Sequence, residues 1–334
     1  MEPRIRQRYH PDILEQAIQR YAIDPAKLSL LDGFESFIYE YERDGAGFIL
    51  RIGHSLHRRA AHVHGEVDWI NYLADGGASV ARAVPSAAGR LVEEIDDGQG
   101  GQFLAVSFVK AAGQPPRRAS FTPALFETYG RVIAGLHART RSYTPADPAW
   151  RRPAWDDEDM EFVQRFVPAS QVTVRSRHTD LCAYLRSLPT GNEVYGLIHQ
   201  DAHGGNLFID AAGRFTLFDF DDCLYSWFAN DIAIVLFYIS MGAEDPAAFT
   251  RQFLTDFWRG YRQAYNLDPQ WLAQIPSFLK LREMELYAAI HRSFDVENLD
   301  DPWCARYMAG RREKIEHQVP YIDFDFAGFA NQLE

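Results

Sequence analysis

The sequence predicts an α+β fold of two lobes, a smaller one made of an antiparallel sheet with a helix and a larger one that is mainly helical. Three observations carry this. Residues 30–52 read as strand, loop, strand, turn and strand; the segments 124–141, 230–240, 248–265 and 271–294 read as helices; and near 107–115 an apolar strand gives way to a Pro/Gly-containing linker, FVKAAGQPP. With 334 residues, 47% of them hydrophobic and 14% aromatic, the chain suffices for two packed lobes and is too short for several independent domains. We place the lobes at 1–108 and 109–334.

In the first lobe, HPDILEQAIQRY starts an ordinary amphipathic segment. LLDGFESFIYEYE (30–42) and GFILRI (47–52) are strands separated by the turn DGAG, with Gly33 to Ser36 as a tight loop before the second strand. In GFILRI the alternation sets Arg51 among apolar neighbours, and a buried strand does not carry a charge without a partner. Its expected partner is Glu66, in the helix HGEVDWINYLADGG (64–77), where Val67, Ile70 and Leu73 recur at helical spacing and Gly76-Gly77 supply the stop. A strand within 85–101 and the apolar strand FLAVSFVK (103–110) complete the lobe. Beyond the linker, helices are expected at 124–141, 230–240, 248–265 and 271–294.

The chemistry concentrates in LIHQDAHGGNLFIDAAGRFTLFDFDD (197–222). HQDAHGGN is too polar and Gly-rich for a strand or helix interior and reads as a loop, after the short buried strand VYGLI (194–198). NLFID and RFTLFDF flank the turn AAG and form a β-hairpin, which brings Asn206 at its entrance near Asp219 at its exit, with Asp201 close by. Phosphoryl transfer from a nucleotide needs hard oxygen ligands for Mg²⁺ and a carboxylate beside the attacking hydroxyl. Asn206 and Asp219 fit the first need, Asp201 the second. A rival reading takes His199, Asp201 and His203, alternating on an extended segment, as zinc ligands of a hydrolase, but leaves the DFDD hairpin without a role.

On these residues the chain resembles the aminoglycoside phosphotransferase and choline kinase branch of the protein-kinase-like enzymes, whose loop runs close to H-G-D-x-H-x-x-N and whose metal motif is D-F/L-x-D/E. Here they stand as HQDAHGGN (199–206) and DFDD (219–222). The resemblance implies a bilobal protein-kinase-like fold with its active site in the interlobe cleft, and use of ATP and Mg²⁺. By it, Asp201 is the catalytic base or the carboxylate that orients the hydroxyl, Asn206 and Asp219 are the metal ligands, and His199 and His203 are architectural. Gly33 and Ser36 cover the phosphates, Arg51 holds them, and Glu66 fixes Arg51. The adenine edge would meet backbone groups near Ser107, Phe108 and Val109. The chain departs from the common pattern in carrying Arg51 where most such kinases have Lys; a guanidinium still grips phosphate with a bidentate fork. Asp231 reads equally as an Asp that braces the catalytic loop and as a helix N-cap.

Net charge is −12, which argues against nucleic acid and anionic lipid as partners and tolerates a cationic acceptor. Acidic clusters with interleaved aromatics, WDDEDMEF (155–162) and FDVENLDDPW (294–303), suit an amine-bearing molecule. In the resembling family the helical lobe holds the acceptor, which nominates Asp222, Glu285 and Asp295. No bilayer-length apolar run or signal segment appears, and Cys182, Cys223 and Cys304 lie far apart without C-x-x-C spacing, so a cytoplasmic protein without disulfides is expected. The function expected is transfer of the γ-phosphoryl group of ATP to a hydroxyl of a small molecule, aminoglycoside-, choline- or homoserine-like. The alternatives are a stress-response protein Ser/Thr kinase and a catalytically weak nucleotide-binding regulator.

Overall fold

The computed structural model describes residues 2–31, 33, 35–118, 121–157 and 161–333. In chain order the elements begin with helices α1 (Pro3–Arg6) and α2 (Pro11–Arg20), strands β1 (Leu28–Leu31), β2 (Phe37–Arg43) and β3 (Ala46–His54), and helix α3 (Ala60–Asp75). Strands β4 (Ala83–Val84), β5 (Val92–Asp96) and β6 (Gln102–Val109) follow. Helices α4 (Pro123–Thr140), α5 (Phe162–Phe166) and α6 (Val172–Arg186) precede strands β7 (Tyr195–Ile198), β8 (Leu207–Ile209), β9 (Phe215–Leu217) and β10 (Leu224–Trp227). The chain ends with α7 (Phe228–Ile239), α8 (Pro246–Tyr261), α9 (Ile275–Ser293), α10 (Pro302–Met308), α11 (Arg311–Glu316) and α12 (Phe326–Asn331).

Two compact units form. One joins Met1–Pro115 with Ser142–Arg152 and Leu207–Asp221; the other joins Pro116–Arg141, Pro153–Asn206 and Asp222–Glu334.

The first unit is organised by an antiparallel sheet of order β1-β2-β3-β6-β4, with β5 also paired to β6. Successive side chains of a strand point to opposite faces, and the two faces are covered by different helices. Leu50, Ile52, Phe103 and Ala105 share a core with Ile13 and Ala17 of α2, whereas Leu104 and Val106 pack with Val63 and Val67 of α3. Arg51, between Leu50 and Ile52, therefore faces α3. That helix ends at Gly76, where Ala78 N donates to Leu73 O and Gly77 takes a φ of +78°, a conformation glycine adopts without steric cost.

The hairpin β8–β9 belongs to this unit because its outer hydrogen bonds are satisfied there. Gln114 and Ile209 exchange both backbone bonds at 3.1 and 2.9 Å, Leu217 N donates to Ser79 O at 2.9 Å, and Ala81 N donates to Leu217 O at 2.8 Å. Gly113 permits the approach, since a Cβ there would lie 2.0 Å from Ile209 O.

In the second unit α4 and α8 cross closely through Gly130 and Gly260, whose Cβ positions would fall 1.9 Å from Phe257 O and 1.7 Å from Glu127 O. Helix α7 is buried along Phe228–Phe237, so its apolar run is a central core helix. The strand β7 pairs antiparallel with β10, Ile198 opposite Leu224. Among the described residues no helix is long and apolar enough to cross a membrane, and all three cysteines are free and buried.

Candidate active site

In the first unit the predicted pairing forms. Arg51 donates to Glu66 through both terminal nitrogens, at 2.8 and 2.5 Å, and Glu66 is 0% exposed. Such a bidentate fork satisfies both buried charges at once. Burial would lower the Arg51 pKa; Glu66, then Asp221 and Asp219, outweigh it and hold the guanidinium firmly charged. Arg51 Nη1 also lies 3.8 Å from a carboxylate oxygen of each of Asp219 and Asp221, so the DFDD segment is anchored beside the β3 cation. Asp219 itself takes a φ of +61°, an uncommon left-handed conformation for a residue with a side chain, and its carboxylate is half exposed.

Three residues not singled out from sequence gather around Asp221. Arg58 Nε meets its Oδ2 at 3.0 Å, His57 Nε2 the same oxygen at 3.2 Å, and the Arg152 guanidinium donates to its backbone oxygen at 2.6 Å. Burial would raise the Asp221 carboxyl, but Arg58, His57 and Arg51 hold it well below the usual range. His57 Nε2 also lies 2.9 Å from Glu35, in the loop predicted to cover the phosphates. Burial opposes the imidazolium, yet hydrogen bonds to Asp221 and Glu35 push its pKa up to about 9. His57 thus bridges two carboxylates as a cation, with Arg58 on the same Asp221 oxygen, which favours an ion-pair clasp over a metal centre at this Glu-His-Asp group. The basic run SLHRR (55–59) was the sequence signal for it. Gly33 fits a backbone approach, since a Cβ there would lie 2.3 Å from Ser36 O, and the Ser36 hydroxyl lies against Gly53 of β3. Phe34, inside that loop, lies outside the described residues.

The segment predicted to meet adenine sits within the sheet. Ser107 and Phe108 have β3 on one side and β4 on the other, and Val109 N donates to Arg82 O at 2.8 Å. The Ser107 hydroxyl is buried against Tyr41 Oη at 2.7 Å, and the Phe108 ring lies under the Arg51 guanidinium at 5.2 Å.

In the second unit the loop 199–206 follows β7. Its backbone is held by Asp231, whose carboxylate accepts from His199 N at 3.0 Å and Gln200 N at 2.9 Å, with His137 Nε2 at 3.2 Å. Asp231 lies inside α7, whose N-cap is Trp227. The N-cap reading of Asp231 is therefore corrected and the bracing reading retained. Burial would raise this carboxyl; His137 and His199 bring it below its ordinary value. His137 is a buried, satisfied core histidine, also bonded to Tyr261 Oη at 2.7 Å. Gln200 stands where the family pattern has Gly, and takes a φ of +67°. Its side chain repays that strain by bonding Asn230 at 3.0 Å and reaching Glu285 at 3.4 Å.

Asp201 and Asn206 come together across this loop. Asn206 Nδ2 donates to Asp201 O at 3.0 Å and to Asp201 Oδ2 at 2.9 Å, which turns the amide nitrogen inward and assigns the amide oxygen the opposite direction. Asp201 Oδ1 accepts from Arg282, a residue that sequence reasoning missed. Burial would raise the Asp201 carboxyl, but Arg282, then His203 and His199, lower it below its usual value. The three zinc-type residues do not form one ligand set among the described residues: His203 Nε2 lies 3.4 Å from Asp201 Oδ2, but His203 Nδ1 faces Gly205 N at 2.8 Å and His199 Nδ1 faces Asp201 N at 3.3 Å. Among the described residues the group with metal-ligand proximity is the Glu35 cluster instead.

Of the acceptor-side residues, Glu285 lies one turn along α9 from Arg282 and its carboxyl is pushed up to about 7, by burial first and by Asp222 and Asp201 against the pull of Arg282. Asp222 thus shares its field. Asp295 does not join them: it is exposed and closes its own turn, accepting from Glu297 N at 3.1 Å and Asn298 Nδ2 at 3.0 Å. Of the 155–162 acidic cluster, residues 158–160 lie outside the described residues.

Residues 29–273 match the model of the phosphotransferase enzyme family, APH. The chain belongs to that family. It is a phosphotransferase with the kinase-like aminoglycoside phosphotransferase fold, and the α+β class expected above holds. It is 38% identical over 328 residues to amicoumacin kinase of Bacillus subtilis (strain 168), covering 97% of each chain. Among solved structures it resembles amicoumacin kinase hAmiN in complex with AMP-PNP, Ca²⁺ and Ami, at a TM-score of 0.93, 37% identity and full coverage of both chains. It also resembles the microcompartment-associated aminopropanol kinase, at a TM-score of 0.72 and 26% identity over 93% of this chain and 98% of the other. Spectinomycin phosphotransferase shares the fold at 15% identity and a TM-score of 0.58.

Proposed function

We propose that this protein is an ATP- and Mg²⁺-dependent kinase that moves the γ-phosphoryl group to a hydroxyl of a small, amine-bearing acceptor of the amicoumacin kind, acting in the cytoplasm. The full-length likeness to amicoumacin kinase supports that acceptor class, and the small-molecule kinases among the relatives weigh against the protein-kinase alternative. The observation that carries the chemistry is the Asp201–Asn206 pair on a loop whose backbone is fixed by Asp231.

Residues 1–108 are the nucleotide-binding lobe in this reading and 109–334 the catalytic and acceptor-binding lobe. Arg51, kept in place by Glu66, grips phosphate oxygens; Gly33 and Ser36 shape the covering loop; the end of β6, from Ser107 to Val109, lies along the adenine. Asn206 and Asp219 hold the divalent cation. An amide oxygen turned away from Asp201 and a half-exposed carboxylate are hard oxygen donors of the type Mg²⁺ takes. The cation supplies charge neutralisation at the phosphates. Asp201, ionised at neutral pH, accepts the proton of the attacking hydroxyl as the oxygen–phosphorus bond forms and the bond to the β-phosphate oxygen breaks. Asp222 and Glu285 face the ammonium of the acceptor.

Asp201→Ala tests this. Turnover of ATP with amicoumacin should fall by about 10³-fold or more while AMP-PNP binding stays within a few-fold; unchanged turnover refutes the assignment.

A further inference from the structure

The carboxylate assigned to the chemistry is held from two sides. Asn206 occupies its Oδ2 at 2.9 Å, and Nη2 of Arg282, 81 residues away on α9, occupies its Oδ1. The same Nη2 donates to Tyr238 Oη at 2.7 Å, the Tyr238 ring lies 5.3 Å from the guanidinium carbon, and Nη1 lies 3.7 Å from Glu285 Oε2. The Arg282 side chain is only 13% exposed. A guanidinium tied to two carboxylates and a phenol is a fixed planar fork, not a mobile surface cation.

Two further features set this contact apart from an ordinary ion pair. Arg282 Nε is buried without a hydrogen-bond partner among the described residues, so the side chain keeps this orientation although it leaves one donor unsatisfied. The loop, moreover, does not need Arg282 to stay in place. Its backbone is held by Asp231 at His199 and Gln200 and by Tyr129 Oη at Ala202 O. What Arg282 adds is control of the carboxylate itself: Asn206 and, at 3.4 Å, His203 Nε2 meet Oδ2, and Arg282 closes rotation of the Asp201 side chain from the Oδ1 side, where a lone pair remains for an incoming hydroxyl.

We infer that Arg282 is a positioning residue for phosphoryl transfer, fixing the plane of the Asp201 carboxylate toward the attacking oxygen. This rests on the role of Asp201 given above. Arg282→Gln and Arg282→Lys should be compared with Asp201→Asn and with the double variant, following ATP turnover with amicoumacin and, separately, with water as acceptor, alongside AMP-PNP binding. Misplacing a reacting group costs about 100-fold in rate. Arg282→Gln should lose roughly that in turnover number with AMP-PNP affinity within about two-fold, Arg282→Lys should recover at least about ten-fold of the loss, and Arg282→Gln should cost nothing further once Asp201 is Asn. Turnover that is unchanged or raised in Arg282→Gln overturns the inference, as does a loss that Lys does not relieve or that persists in the double variant. If Asp201→Asn retains turnover, the role of Asp201 itself fails; if Asp201→Asn is inactive and Arg282→Gln is not, only the positioning role fails.

Discussion

Replacing Asp231 by Ala tests how the 199–206 loop is held. The change strands the N–H groups of His199 and Gln200 and the His137 Nε2, all now bonded to one carboxylate at 3.0, 2.9 and 3.2 Å. Asp231, His137 and His199 are 0% exposed, so water does not take over. Each buried orphan costs about 1–3 kcal/mol. Release of the buried charge returns part of this, leaving about 3–5 kcal/mol, the range for removing one member of a buried charged network. At roughly 2 °C per kcal/mol for a chain of this size, the melting temperature should fall by about 6–10 °C. Urea unfolding followed by tryptophan fluorescence reads the same difference. The folded-state carboxyl is lowered relative to the unfolded chain, so its contribution is present above about pH 4 and fades as the pH falls through the folded value. The gap between parent and variant should accordingly close in acid. A variant within about 1 kcal/mol of the parent at pH 7 would refute the bracing argument.

Arg51→Ala leaves Glu66 buried without its cation and should cost about 3–5 kcal/mol in urea unfolding, together with a loss of AMP-PNP affinity measured by calorimetry; Arg51→Lys should lose less of both, since an ammonium meets one oxygen of Glu66 where the guanidinium meets two. The His57 imidazolium, with its pKa raised to about 9, stabilises the fold fully below about pH 6.5 and loses that contribution as the pH rises through 9. A His57→Gln variant should flatten the decline in melting temperature between pH 7 and 10, and an unaltered slope counts against the clasp. Glu285, raised to about 7, gains its charge between pH 6 and 8. The KM for an amine-bearing acceptor should fall over that interval in the parent and stay level in Glu285→Gln.

Local pattern decided a good deal of this molecule. The alternation in GFILRI placed Arg51 on a face of its own, and a charge there required a partner on the next helix; the bidentate bond to Glu66 follows from that requirement. The hairpin at 207–217 and the strand at 195–198 were legible because turn residues bracket short apolar runs. The Asp201-to-Asn206 step was legible because a five-residue loop brings the two side chains together without help from distant sequence. Helix α6 was less visible, since VTVRSRHTDLCAYLR buries only Val174, Cys182 and Leu185.

Sequence by itself set the α+β class, strands β7, β8 and β9 around the 199–222 segment, and helices α4, α7, α8 and α9 of the second unit, because each depends on spacing within a few turns or one hairpin. Tertiary structure decided the rest. It chose bracing over capping for Asp231, bound the β8–β9 hairpin to the unit of the first 115 residues, drew Asp295 away from Glu285, and set Arg282 on Asp201. Those outcomes rest on hydrogen bonds between residues dozens of positions apart, and a donor carries no mark along the chain of which distant acceptor burial will leave it.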